Sequence, residues 1–150
     1  MIFHGKNIDP VGLAWAGGFL EGEGCFTLYQ RRPGHRTYYI AQIAAAQVDN
    51  VPLLRLKRMF GGNIHLKPRK DERHRDIWYW EVGSAQTLRK ILPLVIPYLS
   101  RGGNKVKQAR LLLEFCRTID SRRGALKISE QEHEERMSFV TRLAALKRVA

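Results

Sequence analysis

Leu13-Ala-Trp-Ala-Gly-Gly-Phe-Leu-Glu-Gly-Glu-Gly24 is a costly way to write a helix. Asp9-Pro10 ahead of it reads as an N-cap followed by proline at the first helical position. The helix is expected to run to about Gly22, with Gly24 ending it. Each internal glycine costs about 1 kcal/mol relative to alanine, so the glycines need a use. Ala14, Gly18 and Gly22 recur every four residues, with Gly17 beside them, and so share one face. A face of small residues permits close backbone approach, either by a second helix or by the chain's own sheet. Glu21 and Glu23 fall at the C-terminal end, where the macrodipole favours cations rather than acids. Either both are simply solvated, or something compensates. A divalent cation would do so, because Mg²⁺ takes carboxylate oxygens. Two copies packed about a two-fold axis would bring these acids together. Facing a basic surface, such a pair suits metal-assisted phosphodiester hydrolysis on two strands.

Working outward, Cys25 to Arg31 and Thr37 to Val48 read as strands joined by a turn at Pro33-Gly34. Asp49 or Asn50 caps a helix from Val51 to Phe60, which Gly61-Gly62 stops. Asn63 to Lys67 and Ile77 to Val82 form a second strand pair around a charged turn. Helical pieces are expected from Ser84 to Leu92 and Leu94 to Leu99, broken by Pro93 and Pro97. Asn104 to Ile119 is amphipathic, and Ser129-x-x-Glu132 is a capping box opening a last helix. The order αββαββα then predicts an α+β fold: a curved, four-stranded antiparallel sheet with helices on one face. No linker interrupts it. One domain is expected over residues 1–150, with a core of about 10–119 and a helical extension at 128–150. The repeated αββ pattern hints at a pseudo-repeat.

The 150 residues hold 26 Lys and Arg against 14 Asp and Glu, a formal charge of +12 that favours a polyanionic partner. With 44% hydrophobic residues the chain is no disordered basic tail. No apolar run is long enough to span a membrane, and the first residues do not read as a signal peptide, so an intracellular protein is expected. Organelle, prokaryotic and phage origins all fit. Cys25 and Cys116 lie outside any CxxC and are expected to be buried small hydrophobes. Basic residues gather on the predicted strands and turns: Arg31, Arg32 and Arg36, then Lys67, Arg69, Lys70, Arg73 and Arg75. These are expected to contact DNA, which an exposed β-ribbon can do in the major groove. Alternation turns Thr27, Tyr29 and Arg31 toward the DNA, opposite Phe26 and Leu28, whereas the phase of the Tyr38 to Val48 strand stays open. Trp78 and Trp80 share a face and suit core packing better than base stacking.

Ala16-Gly-Gly-Phe-Leu-Glu-Gly-Glu-Gly24 resembles the LAGLIDADG motif of homing endonucleases, in the variant with glycine between the acids. The αββαββα order agrees. Ala46-Gln-Val48, Phe60-Gly-Gly62, and Pro97-Tyr-Leu99 followed by Lys105-x-Lys-Gln-Ala109 resemble further landmarks. The resemblance covers roughly residues 10–119, and the motif occurs once, as in the homodimeric branch. It implies a site-specific double-strand DNA endonuclease, acting as a homodimer on pseudo-palindromic half-sites and leaving short 3′ overhangs. It also implies Mg²⁺ or another divalent cation such as Mn²⁺, with no small-molecule cofactor and no membrane. By the same resemblance Glu23 is the metal-holding acid, with Gly22 beside it as a further ligand position. Glu21 is the more structural acid. Ala14, Gly17, Gly18, Glu21 and Gly22 form the dimer interface. Lys105 is the basic residue of the catalytic pocket, Asn50 orients solvent near the metal, and Gln47 is a polar residue reaching DNA from a strand end. Gln42 joins the DNA-contacting set. A second basic pocket residue of the family aligns near Leu54, a departure that neighbouring Arg55 would have to make good. RNA-splicing maturases and non-cleaving regulators share the fold and supply the alternative function.

Overall fold

The computed structural model describes residues 2–3, 6–32, 37–119 and 128–148. The expected Pro33-Gly34 turn and Arg36 lie outside the described residues. A short hairpin, β1 (Ile2–Phe3) with β2 (Lys6–Asn7), precedes everything the sequence pattern predicts. Two-residue strands are too short to carry a readable alternation. Helix α1 (Pro10–Glu23) starts where Asp9 accepts the Gly12 amide at 2.6 Å. It ends at Gly24, whose extended backbone leads straight into strand β3 (Gly24–Arg31). No side chain fits at that junction, because a Cβ on Gly24 would lie 2.5 Å from the Leu20 carbonyl oxygen.

Strand β4 (Tyr38–Gln47), helix α2 (Val51–Phe60), β5 (Asn63–Lys67) and β6 (Ile77–Gly83) follow as the pattern predicts. Asp49, rather than Asn50, provides the side-chain cap of α2, accepting the Val51 amide at 3.0 Å. Helix α3 (Ala85–Val95) runs through Pro93 instead of breaking there, and gives way to a 3₁₀ turn (Ile96–Tyr98) holding Pro97. Pro93 is solvent-facing, while Leu88, Ile91, Leu92, Leu94 and Val95 around it are buried. Burying five such side chains, at about 1.5–3 kcal/mol each, outweighs a proline penalty of about 3 kcal/mol. Helices α4 (Asn104–Thr118) and α5 (Glu130–Arg148) complete the chain. At the expected capping box, the Glu132 amide donates to Ser129 Oγ at 3.2 Å. No described helix is long and apolar enough to cross a membrane.

All four long strands pair antiparallel in the order β3-β4-β6-β5, so the two αββ units meet at the sheet centre. The register pairs Gly24 with Ala45, Thr27 with Gln42, Ala45 with Trp80 and Ile64 with Trp80. Phe26, Leu28, Ala41, Ile43, Ala45, Trp80 and Val82 point into one core with Leu13, Leu20, Leu53, Leu56, Leu88 and Leu112 of the helices. Burial of Ala41, Ile43 and Ala45 resolves the β4 phase and turns Gln42 and Ala44 to the other face. Trp80 is fully buried, its Nε1–H donating to the Gly61 carbonyl at 2.9 Å. Cys116 is buried as expected, but Cys25 is exposed. The same alternation that buries Phe26 turns its neighbour outward.

Candidate active site and nucleic-acid interface

The register gathers the candidate catalytic residues at one end of the sheet. Glu23 precedes Gly24, which pairs with Ala45; Gln47 ends β4 two residues later, and Asn50 precedes α2. Lys105, in the first turn of α4, donates its ammonium to the Gly24 carbonyl. Glu23, Gln47 and Lys105 therefore lie at the α1–β3 end of the sheet, with Asn50 three residues beyond the end of β4. Gln47 has the phase of buried Ala45 and is half-buried on the helix side of the sheet.

The two acids of α1 differ. Glu21 accepts the Ser100 amide and the Ser100 hydroxyl, each at 2.7 Å. These bonds, the amide first, hold its carboxyl below the usual carboxylate range against a smaller upward push from burial, and the Lys105 ammonium helps. Glu23 is exposed, and its carboxylate has no hydrogen bond or ion pair among the described residues. It stands where α1 leaves carbonyl oxygens without helical partners. One carboxylate with a neighbouring carbonyl such as that of Gly22 matches how Mg²⁺ is commonly held: one or two carboxylates, with waters and substrate phosphates completing the shell. Among the described residues no cluster of three or more His, Cys, Asp or Glu makes a self-sufficient metal site. The donor set of a single chain thus fits such a cation only in part, and a second copy or a phosphate would complete it.

Ala14, Gly18 and Gly22 are exposed, and a Cβ on either glycine would meet nothing within 4 Å. Val11, 75% exposed, continues the stripe. Gly17, expected with them, is instead buried inside the chain: a Cβ there would lie 2.5 Å from Tyr98 Cβ. The two glycines are adjacent, but successive helical residues point about 100° apart, so one faces Tyr98 and the other faces open space. Arg55 lies 4.1 Å above the Trp15 ring, which also stacks on Phe19. Trp15 is eight residues before Glu23, or about 12 Å along the helix, and Arg55 is held there. Leu54 is 39% exposed and brings no charge.

The sheet face opposite the core carries Thr27, Tyr29 and Arg31 of β3, Tyr38, Ile40 and Gln42 of β4, Tyr79 and Glu81 of β6, and His65 and Lys67 of β5. All are exposed or half-buried. His65 stacks on Tyr79 with centroids 5.6 Å apart, and the Lys67 ammonium lies 5.8 Å from the same ring. Arg69, Lys70, Arg73 and Arg75 are exposed in the β5–β6 turn, and Arg32 is exposed beyond β3. Asp76 accepts the Arg69 amide at 2.8 Å and Asp71 accepts the Arg73 amide at 2.8 Å, so the acids of this turn shape its backbone.

Sequence reasoning misses three participants: Ser100, which anchors Glu21; Tyr98, which fills the space over Gly17; and Lys147, whose ammonium lies 3.5 Å from Cys25 Sγ. The first two follow only from how the 3₁₀ turn packs on α1, which no local pattern encodes. Burial pushes the Cys25 thiol up, but the Thr27 hydroxyl and the Lys147 and Lys105 ammonium groups together bring it below the usual range.

No protein-family model matches this chain, and no curated protein matches it in sequence. Solved structures do match in fold. The homing endonuclease I-CvuI, in complex with a DNA target in the presence of 2 mM Mg, superposes with a TM-score of 0.72 at 18% identity, covering 91% of this chain and 82% of its own. The homing endonuclease I-TnaI gives 0.67 at 19% identity, covering 95% of this chain and 96% of its own. The LAGLIDADG homing endonuclease I-SmaMI, bound to cleaved DNA, gives 0.66 at 18%, with 93% of this chain matching 45% of that one. The α1–β3 junction, the β3-β4-β6-β5 sheet and the helices on one face are thus the LAGLIDADG homing-endonuclease fold.

Proposed function

We propose that this chain is a site-specific, divalent-metal-dependent DNA endonuclease that works as a homodimer. The observation that carries the reading is the exposed Glu23 carboxylate, left without a protein partner among the described residues at the end of a helix whose adjacent face is a stripe of Ala14, Gly18 and Gly22 open to close approach. Two copies packed along that stripe would bring two such carboxylates to one axis, each beside its own sheet. The sheet face offers Arg31, Lys67, Gln42 and tyrosines at spacings that suit the major groove. The fold likeness to homing endonucleases in complex with DNA supports the same partner.

Glu23 and the Gly22 carbonyl are the groups that would hold Mg²⁺ or a similar cation. When bound, such a cation supplies Lewis-acid stabilisation of a phosphoryl oxygen and a water made nucleophilic at neutral pH. Lys105, tethered to the Gly24 carbonyl, directs a positive charge at the same end, where it would stabilise charge building on the phosphate. Asn50 and Gln47, on the neighbouring strand end and helix start, are placed to orient solvent or the sugar–phosphate backbone. Glu21 serves by fixing Ser100 rather than by touching the substrate. Two-fold symmetry of the protein would be mirrored in pseudo-palindromic half-sites.

The test is to incubate the wild-type protein with a randomised duplex library, with Mg²⁺ and with chelator, and to measure its mass in solution. A dimer that cuts a defined, near-palindromic subset only with the metal is expected. A monomer that leaves every duplex intact would contradict the proposal.

A further inference from the structure

At the α1–β3 end of the sheet Lys105 donates to the Gly24 carbonyl, whereas Arg55 of α2 lies over Trp15. A lysine reaches the same end of the sheet from the far terminus of the described chain. Phe139, Leu143 and Lys147 recur every four residues of α5 and so share one face. Phe139 and Leu143, 5% and 2% exposed, show that this is the docked face. Phe139 meets Phe115 of α4 edge-on at 5.7 Å. The Asn104 side-chain amide donates to the Leu146 carbonyl, which fixes the last turn of α5 to the residue preceding Lys105. Lys147 Nζ then lies 3.5 Å from Cys25 Sγ. Cys25 is two residues after Glu23 and shares the outward phase of Thr27, Tyr29 and Arg31. Lys105 holds the preceding carbonyl, that of Gly24. Two ammonium groups thus flank the Gly24–Cys25 step. Lys147 is exposed and makes no ion pair with an acid among the described residues.

We propose that Lys147 binds the DNA backbone beside the acidic end of α1, so that the C-terminal helix completes a two-lysine phosphate clamp with Lys105. The inference rests on the nuclease reading above. A lysine suits the role as a mobile point charge reaching a phosphate. The competing role is structural: a lysine in the last turn also complements the helix macrodipole.

Salt dependence separates the two. Binding of a mixed-sequence DNA duplex is measured without divalent cation, so that no strand is cut, for wild type, Lys147→Met and Lys147→Arg. Thermal unfolding is followed in parallel. Lys147→Met is expected to bind several-fold more weakly at low salt. Its plot of log K against log salt should be shallower by about 0.9 for each phosphate that Lys147 neutralises in the wild type. Lys147→Arg should keep the wild-type slope. A wild-type slope in Lys147→Met would overturn the inference and leave the nuclease reading standing, whether or not its unfolding temperature falls. Failure of the wild-type protein to bind any duplex would instead remove the nuclease reading, and this inference with it.

Discussion

Glu21 and Glu23 stand two positions apart on α1 and have opposite surroundings. Glu21 is held by the amide and hydroxyl of Ser100, and its carboxyl is acidified by them. A depressed carboxyl contributes stability above its unfolded-state value, and that contribution is lost as pH falls through the folded-state value. Glu21→Gln should therefore destabilise the protein at neutral pH by about 1 kcal/mol, the scale of charge-assisted bonds at a solvent-screened site. The gap between the two proteins should close as pH drops below the ordinary carboxylate range, which urea titrations at several pH values would reveal. DNA binding should survive. The distinction between the two acids is not legible in the sequence, where both read as unfavourably placed at a helix end. Only the packing of the 3₁₀ turn on α1 separates them.

At the scale of elements, α1 puts two adjacent glycines in opposite surroundings. Gly17 sits under Tyr98 with no room for a side chain, and Gly18 faces open space. Gly17→Ala should cost roughly 1–3 kcal/mol, as overpacking usually does, and a lowered unfolding temperature would register it. Gly18→Leu should leave the monomer fold intact, because it removes a helix-weakening glycine and meets nothing. It should nevertheless prevent pairing along the stripe, which sedimentation would report as a monomer. If Gly18→Leu still dimerises, the stripe is not the interface. The sequence indicates the glycine face but groups Gly17 with it, because helical periodicity gives direction only to about one residue. The helix ends are legible, since Asp9-Pro10 and Gly61-Gly62 are local signals. Pro93 misleads because its local penalty is outweighed by burial on the opposite side of α3. The β4 phase is not legible because its alanines, tyrosines and glutamines give no clear contrast of polarity between the two faces.

For the molecule as a whole, the net charge of +12 has a location. Basic side chains lie on the open sheet face, in the β5–β6 turn and around the α1–β3 junction, while Glu23 remains an unpaired acid beside them among the described residues. A pair of copies would double that charge on one duplex. Binding should weaken steeply with salt, by roughly 10³-fold or more between 50 and 200 mM if six or more phosphates are neutralised. A flat salt response would argue against the open face as a DNA surface. The fold class and the order of elements are legible because each element is bounded by its own punctuation. The approach of Lys105 and Lys147 to the Gly24–Cys25 step is not, since it depends on how α4 and α5 pack against the start of β3.

The most direct measurement compares wild type with Glu23→Gln on duplexes that the wild type cuts, across a Mg²⁺ titration. Cleavage should vanish in Glu23→Gln at every metal concentration while duplex affinity without metal stays within a few-fold of wild type. Retained metal-dependent cleavage by Glu23→Gln would contradict the assignment of the chemistry to the end of α1.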